Sequence, residues 1–142
     1  MRSPKARAAR SAAAGTGIAP ILGMAALQRV RFHGRGGEGV KQASHIVARA
    51  LFLSGLNVQD APLYGAERRG APVMAFVRFG EQPVRERGYI ADPDVIVVCN
   101  DSLLHLADAA VLAGLDAGGL VLVNSRHPAE DLRRAYGIAA AV

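Results

Sequence analysis

Val30-Arg31-Phe32-His33-Gly34-Arg35-Gly36-Gly37-Glu38-Gly39-Val40 and the run that follows it to Leu53 decide the reading of the fold. Residues 30–33 read as a short strand, begun at Leu27. Residues 34–39 read as a glycine-rich loop. Residues 40–53 read as a helix, because Val40, Ala43, Ile46, Val47, Ala50, Leu51 and Leu53 mostly keep the three-to-four spacing of one buried face. Gly55 stands where a helix stop is expected. A strand that turns through glycines into a helix is the opening unit of many α/β domains.

Working outward, residues 57–61 form a second strand candidate, and residues 62–72 a loop of turn residues and charge. Residues 73–79 are almost continuously apolar, as expected of a strand buried on both faces. Residues 80–88 are polar, with room for a short strand near Val84. Residues 94–100, Asp-Val-Ile-Val-Val-Cys-Asn, are the clearest buried strand. A helix is expected over 103–112, with Ser102 or Asp101 as its cap and Gly114 as its stop. A strand over 120–124 and a short helix over 128–136, with Pro128 in its first turn, complete the pattern. Alternation of strands and helices predicts a single Rossmann-like α/β domain, with a mostly parallel sheet and helices on both faces. Residues 137–142 read as the start of a further element, so the domain at 27–142 is expected to be incomplete at its C-terminus.

The chain of 142 residues suits one domain with one core. Its net charge of +5 is unevenly spread. Arg2, Lys5, Arg7, Arg10 and Arg29 precede Val30 with no acid, and the rest carries twelve basic and twelve acidic residues. A neutral body lacks the clustered charge of a nucleic-acid footprint. Residues 1–26, rich in Ala, Arg, Gly and Ser, fit a transit peptide, a disordered tail, or a start site placed too early, since Met24 lies just before the first strand. No apolar stretch reaches the ~18 residues of a membrane span, and a cytoplasmic location is expected. Cys99 is the single cysteine, so neither an internal disulfide nor a cysteine-ligated iron–sulfur cluster is expected of this chain alone.

Gly34, Gly36 and Gly39 fit G-x-G-x-x-G between a strand and a helix. Such glycines let the backbone turn tightly and approach a ligand, and the helix N-terminus offers N–H groups to an anion. Arg35 adds a possible charge-assisted contact to phosphate. Asp60, 21 residues after Gly39, stands where a dinucleotide enzyme places its ribose-binding acid. The motif therefore allows a free-standing NAD- or FAD-binding oxidoreductase, and it equally allows a tight turn that only packs helix against strand. Glu38 opposes an incoming phosphate unless it faces away or binds a neighbouring chain.

The second informative segment is Tyr64-Gly65-Ala66-Glu67-Arg68-Arg69-Gly70-Ala71-Pro72-Val73. Adjacent arginines in a glycine-flanked loop suit carboxylates or phosphates. A solvated turn, with Glu67 pairing locally for less than ~1 kcal/mol, explains them as well. Residues 34–39, 67–78, 93–98 and the run Asp101-Ser102-Leu103-Leu104 fall in the order and spacing of one family. Across about a hundred residues, the chain resembles the gamma subunit or domain of pyruvate and 2-oxoisovalerate ferredoxin oxidoreductases. The Glu67–Pro72 block separates this branch from the indolepyruvate type.

The resemblance implies a non-autonomous subunit of a hetero-oligomer with alpha, beta and delta-type subunits, which oxidatively decarboxylates a 2-oxoacid such as pyruvate and passes electrons to ferredoxin. It implies coenzyme A as co-substrate, and thiamine diphosphate, magnesium and iron–sulfur clusters on the partner subunits. It carries Gly34, Arg35, Gly36, Gly37, Glu38, Gly39, Glu67, Arg68, Arg69 and Gly70 over as cofactor-binding or interface positions, with no catalytic residue and no metal ligand in this chain. The family usually has Gln where Glu38 stands, and its domain continues beyond Val142. A purely structural subunit, whose motifs serve only the interface, is the remaining alternative.

Among other candidates, His33, His45, His105 and His127 lack metal-ligand spacing. His33, beside the loop, is the one that could touch a ligand, and a plain packing role is the favoured alternative. Cys99 reads as a small core residue. Asp101 and Ser102 lie at a strand's carboxyl end, where α/β sheets bind ligands, although a cap explains them equally.

Overall fold

The computed structural model describes residues 27–63 and 69–142. The leader at 1–26 and the segment 64–68, with Glu67 and Arg68, lie outside the described residues. The elements are β1 (Gln28–Arg35), α1 (Val40–Leu53), β2 (Asn57–Pro62), β3 (Pro72–Gly80), β4 (Val95–Val98), β5 (Leu120–Val123) and α2 (Ala129–Tyr136). They form an α/β domain around a five-stranded sheet of order β2-β3-β1-β4-β5.

The sheet is mixed where the sequence pattern predicts mostly parallel pairing. β1 runs parallel to β4, and β4 to β5, but β3 is antiparallel to both β1 and β2. Strand β3 thus inserts between the two strands joined by α1. The parallel reading rests on the alternation of strands and helices, while the apolar run of β3 reports only burial on both faces, which an interior strand of either direction shows. Direction is set by the connection, and periodicity does not report it.

Alternation along β1 divides the core. Val30 and Phe32, with Ala75, Val77 and Phe79 of β3, face Val40, Ala48 and Leu51 of α1. On the other face, Ile96, Val98 and Val121 pack with Leu103, Val111, Ile138 and Ala140. That second face is covered without the helix expected over 103–112. The chain makes two short 3-10 turns instead, Asp101–His105 and Ala107–Ala109. Ala110 closes the second with φ +43°, a left-handed conformation that breaks any α-helix passing through it. Residues 81–89 are irregular, so the short strand near Val84 does not form. At the C-terminus, Ala141 makes an isolated parallel bridge to Leu120 of β5.

The second face also holds two buried arginines. Arg31 is fully buried and donates to the carbonyl oxygens of Ile90 (3.0 Å), Val111 (2.8 Å) and Ala113 (2.6 Å), and from Nε to His33 Nε2 (2.9 Å). Arg78 donates to Gln59 Oε1 and to the carbonyl oxygens of Gly88 and Tyr89. These guanidinium groups hold the irregular segments 88–90 and 111–113 against the sheet. A buried cation is costly unless its donors are satisfied, and here carbonyl dipoles satisfy most of them.

His33 is 2% exposed and is an acceptor for Arg31, so it is a core residue and not a ligand contact at the loop. Burial, reinforced by the Arg31 charge, lowers its pKa to about 4 from an ordinary 6.5. Between those values the unfolded chain binds a proton that the folded chain refuses. The stabilisation is therefore complete above about pH 6.5 and declines as pH falls towards 4, by on the order of 3 kcal/mol. The expected result is a melting temperature that drops between pH 7 and pH 4.5 in the wild type. His33→Gln, which keeps an acceptor for Arg31 but does not titrate, flattens that drop; thermal melts of both chains at the two pH values check it.

Candidate functional site

Strand β1 runs further than its apolar run suggests, through Gly34 and Arg35, so that Gly36–Gly39 alone form the turn into α1. Each glycine is used differently. Gly34 is a packing residue: a Cβ there would overlap the Val40 side chain and press on Cys99 Cβ at 3.2 Å. Gly37 has φ +92° and faces open space, which leaves the loop backbone bare at its tip. Gly39 starts α1 in a left-handed conformation, with no side-chain cap on the first turn. The tight-turn reading thus accounts for Gly34, and the bare backbone at Gly37 keeps the ligand reading for the tip.

Glu38 folds back into its own loop. Its Oε2 accepts the Arg35 backbone N–H at 2.7 Å, and its Oε1 accepts from Asn100 Nδ2, at the carboxyl end of β4. The carboxylate is therefore an internal brace and does not stand over the loop. Arg35 reaches across the same gap: Nε and Nη2 donate to Ser102 Oγ (3.1 and 2.9 Å), and Nη1 to the Gly70 carbonyl (2.9 Å). No carboxylate pairs with this guanidinium among the described residues. Gly36 N–H donates to Ala71 O (2.8 Å) and Gly70 N–H to Gly36 O (3.1 Å), which closes the 69–71 turn onto the glycine loop. The two segments singled out in the sequence meet here through Gly36, Arg35 and Gly70. Arg69 is exposed beside them.

The cap of the turn after β4 is Asn100, not Asp101 or Ser102. Its Oδ1 accepts Ser102 N–H at 3.1 Å and Ser102 Oγ at 2.6 Å. Asp101 instead accepts Ser125 Oγ at 2.6 Å, and Asn124 Nδ2 donates to the Cys99 carbonyl at 3.1 Å, so the carboxyl ends of β4 and β5 are laced together. An open cleft of about 1130 Å³ lies over those ends, lined by Cys99, Asn100, Asp101, Arg126 and His127 above the apolar Val97 and Leu122. Asn100, Asn124, Ser125 and Arg126 were not singled out in the sequence, and His127 was weighed there only as a metal ligand, although a position just past a buried parallel strand is itself the signal. Cys99 is half-buried, and burial together with nearby Glu38 pushes its thiol pKa up, away from a reactive thiolate.

Asp60 does not reach the loop. Strand β3 lies between β2 and β1, and Asp60 binds α1 instead, accepting from Ser44 Oγ at 3.2 Å and lying 3.1 Å from His45 Nδ1. The dinucleotide pattern matched in spacing, but the inserted strand moves the acid one position outward. Among the described residues, no group of three or more His, Cys, Asp or Glu converges to hold a metal ion, and no helix is long and apolar enough to cross a membrane.

Removal of the brace is testable. Glu38→Ala leaves the Arg35 N–H and the Asn100 amide without their acceptor, so unfolding free energy is expected to fall by about 1–3 kcal/mol in urea titration. Amide exchange at Arg35 should accelerate more than exchange in the middle of β1.

The family described as pyruvate ferredoxin/flavodoxin oxidoreductase matches residues 29–141. The chain is 50% identical over 103 residues to the pyruvate/ketoisovalerate oxidoreductases common subunit gamma of Thermococcus litoralis, covering 72% of this chain and 55% of that protein. It is 43% identical over 108 residues to pyruvate synthase subunit PorC of Thermotoga maritima, covering 76% of this chain and 55% of that one. The crystal structure of the pyruvate oxidoreductase subunit PORC from Thermotoga maritima superposes with a TM-score of 0.67 at 38% identity, over 80% of this chain and 58% of that chain. The chain thus spans a little over half the length of these relatives. With a family match across four-fifths of its residues and a gamma-subunit fold to go with it, this chain belongs to the pyruvate ferredoxin/flavodoxin oxidoreductase family.

Proposed function

We propose that this chain is the gamma component of a thiamine-diphosphate-dependent 2-oxoacid:ferredoxin oxidoreductase, and that its glycine loop and 69–71 turn face coenzyme A or the subunit that presents it. The reaction converts a 2-oxoacid such as pyruvate, coenzyme A and two oxidised ferredoxins into an acyl-coenzyme A, carbon dioxide, a proton and two reduced ferredoxins. Thiamine diphosphate with magnesium, on partner subunits, supplies the electron sink for decarboxylation, and iron–sulfur clusters there pass the two electrons on. The enzyme works in the cytoplasm with alpha, beta and delta-type partners, and this chain has no activity alone.

One observation carries the assignment of the site: the Arg35 guanidinium is held by the neutral acceptors Ser102 Oγ and Gly70 O and pairs with no carboxylate among the described residues, two positions before the bare backbone of Gly37. A fixed cation next to free backbone suits the phosphates of coenzyme A. Arg69, exposed on the adjoining turn, extends the positive charge, and Arg68 precedes it in the sequence. Gly34 and Glu38 serve the geometry of the loop, and Gly36 and Gly70 bind it to the turn.

The test is purification of the tagged chain from its native cells, with mass spectrometry of its companions and 2-oxoacid- and coenzyme-A-dependent dye reduction. Co-purifying thiamine-binding and ferredoxin-like subunits with that activity are expected. A chain that emerges alone with a bound nucleotide overturns the proposal in favour of a dinucleotide enzyme. The double variant Arg68→Ala, Arg69→Ala is expected to leave assembly intact and to raise KM for coenzyme A about tenfold, the loss of one charge-assisted contact. Lost assembly with no change in KM of the residual complex assigns these arginines to the interface instead.

A further inference from the structure

Helix α1 carries a second surface that the glycine loop does not use. Its inner side, Val40, Ser44, Ala48 and Leu51, is buried on the sheet. Its outer side is apolar as well: Ile46 is 67% exposed, Phe52 64% and Leu53 71%, with Ala50 exposed between them. Ile46, Ala50 and Leu53 stand at i, i+4 and i+7, so they form one stripe along the helix. Single exposed apolar residues are ordinary, but a continuous stripe on a helix already buried along its opposite side marks an interaction surface.

Charge identifies the kind of partner. Helix α1 contains Lys41, His45 and Arg49, and no acid. Arg49 is exposed and lies three or four residues from Ile46, Phe52 and Leu53, which places a cation in the middle of the apolar stripe. A second copy of this chain is a poor fit: in a two-fold contact the centre of a patch meets its own copy, and two Arg49 side chains would be buried against each other. A partner with an acid set among apolar side chains meets both features.

We propose that the outer face of α1, centred on Arg49, Ile46 and Leu53, docks an amphipathic helix of a partner subunit whose apolar stripe carries a central Asp or Glu. This surface is separate from the glycine loop, and the proposal rests on the multi-subunit reading given above. It predicts that assembly and ligand handling are separable in this chain.

The test uses the full chain in its complex. Arg49→Glu and Ile46→Gln/Leu53→Gln are introduced into the tagged chain, and the companion subunits are quantified by mass spectrometry. All three side chains are exposed, so unchanged circular dichroism and melting are expected of the free variants. Arg49→Glu should lower the recovery of companions about tenfold or more, and the double glutamine variant should do the same. A photo-crosslinking residue at Ile46 should join a partner peptide that carries the predicted acid. Recovery equal to wild type in both variants overturns this proposal alone, while a wild type that recovers no 2-oxoacid-oxidising companion overturns the subunit reading and this proposal with it. A crosslink within the same chain or to a second copy also overturns it. So does co-sedimentation of the wild type, but not of Arg49→Glu, with phosphatidylglycerol vesicles, which makes α1 a membrane-surface helix.

Discussion

Strand β1 makes two kinds of pairing at once, and the remaining architecture follows from it. On one side it is antiparallel to β3 along its whole length, and on the other it is parallel to β4 over four residues. The parallel side brings the carboxyl ends of β1 and β4 together, where Cys99 N–H donates to His33 O at 2.8 Å. The antiparallel side brings the start of β3 to the same end. The glycine loop, the 69–71 turn and the turn after β4 therefore converge on one rim, from segments up to 67 residues apart. Without the insertion of β3, the 69–71 turn would have no reason to lie against Gly36.

The second face of β1 places a charge where an ordinary α/β core has aliphatic groups. Arg31 sits beside Ile96 in the register, fully buried, and stands 6.0 Å over the Tyr89 ring. Burial lowers its pKa, yet an arginine remains charged, so the surrounding segments supply carbonyl oxygens. This explains why 107–114 can cover the sheet without a full helix. The carbonyls that a helix would use internally are turned towards the guanidinium. His33 completes the arrangement as a neutral acceptor, which is consistent with its depressed pKa.

At the rim, the acid that looked unfavourable for anion binding has a local use. Glu38 takes the Arg35 N–H and the Asn100 amide, while Asn100 in turn holds Ser102, which receives the Arg35 guanidinium. The result is a closed ring of contacts joining loop to strand end. Such a ring fixes the loop tip through its own side chains, the preorganisation that the proposed ligand-facing role requires. The Glu38 carboxylate offers one oxygen to each of the two donors.

Sequence alone determined what depends on local chemistry. The strand–glycine–helix unit, the buried runs at 73–79 and 94–98, the helices from Val40 and Pro128, and the family motifs were all legible, because periodicity and turn residues act over a few neighbours. The family resemblance singled out Gly34–Gly39 and Glu67–Gly70, and of these the described Gly36, Arg35 and Gly70 meet in the folded chain. Tertiary structure decided the rest. Whether β3 runs antiparallel, whether Asp60 reaches the loop, whether 103–112 coils into an α-helix, and where Glu38 points all depend on partners distant in the chain. A buried run looks the same in either direction, and a carboxylate has no preferred partner until folding brings one within hydrogen-bond reach.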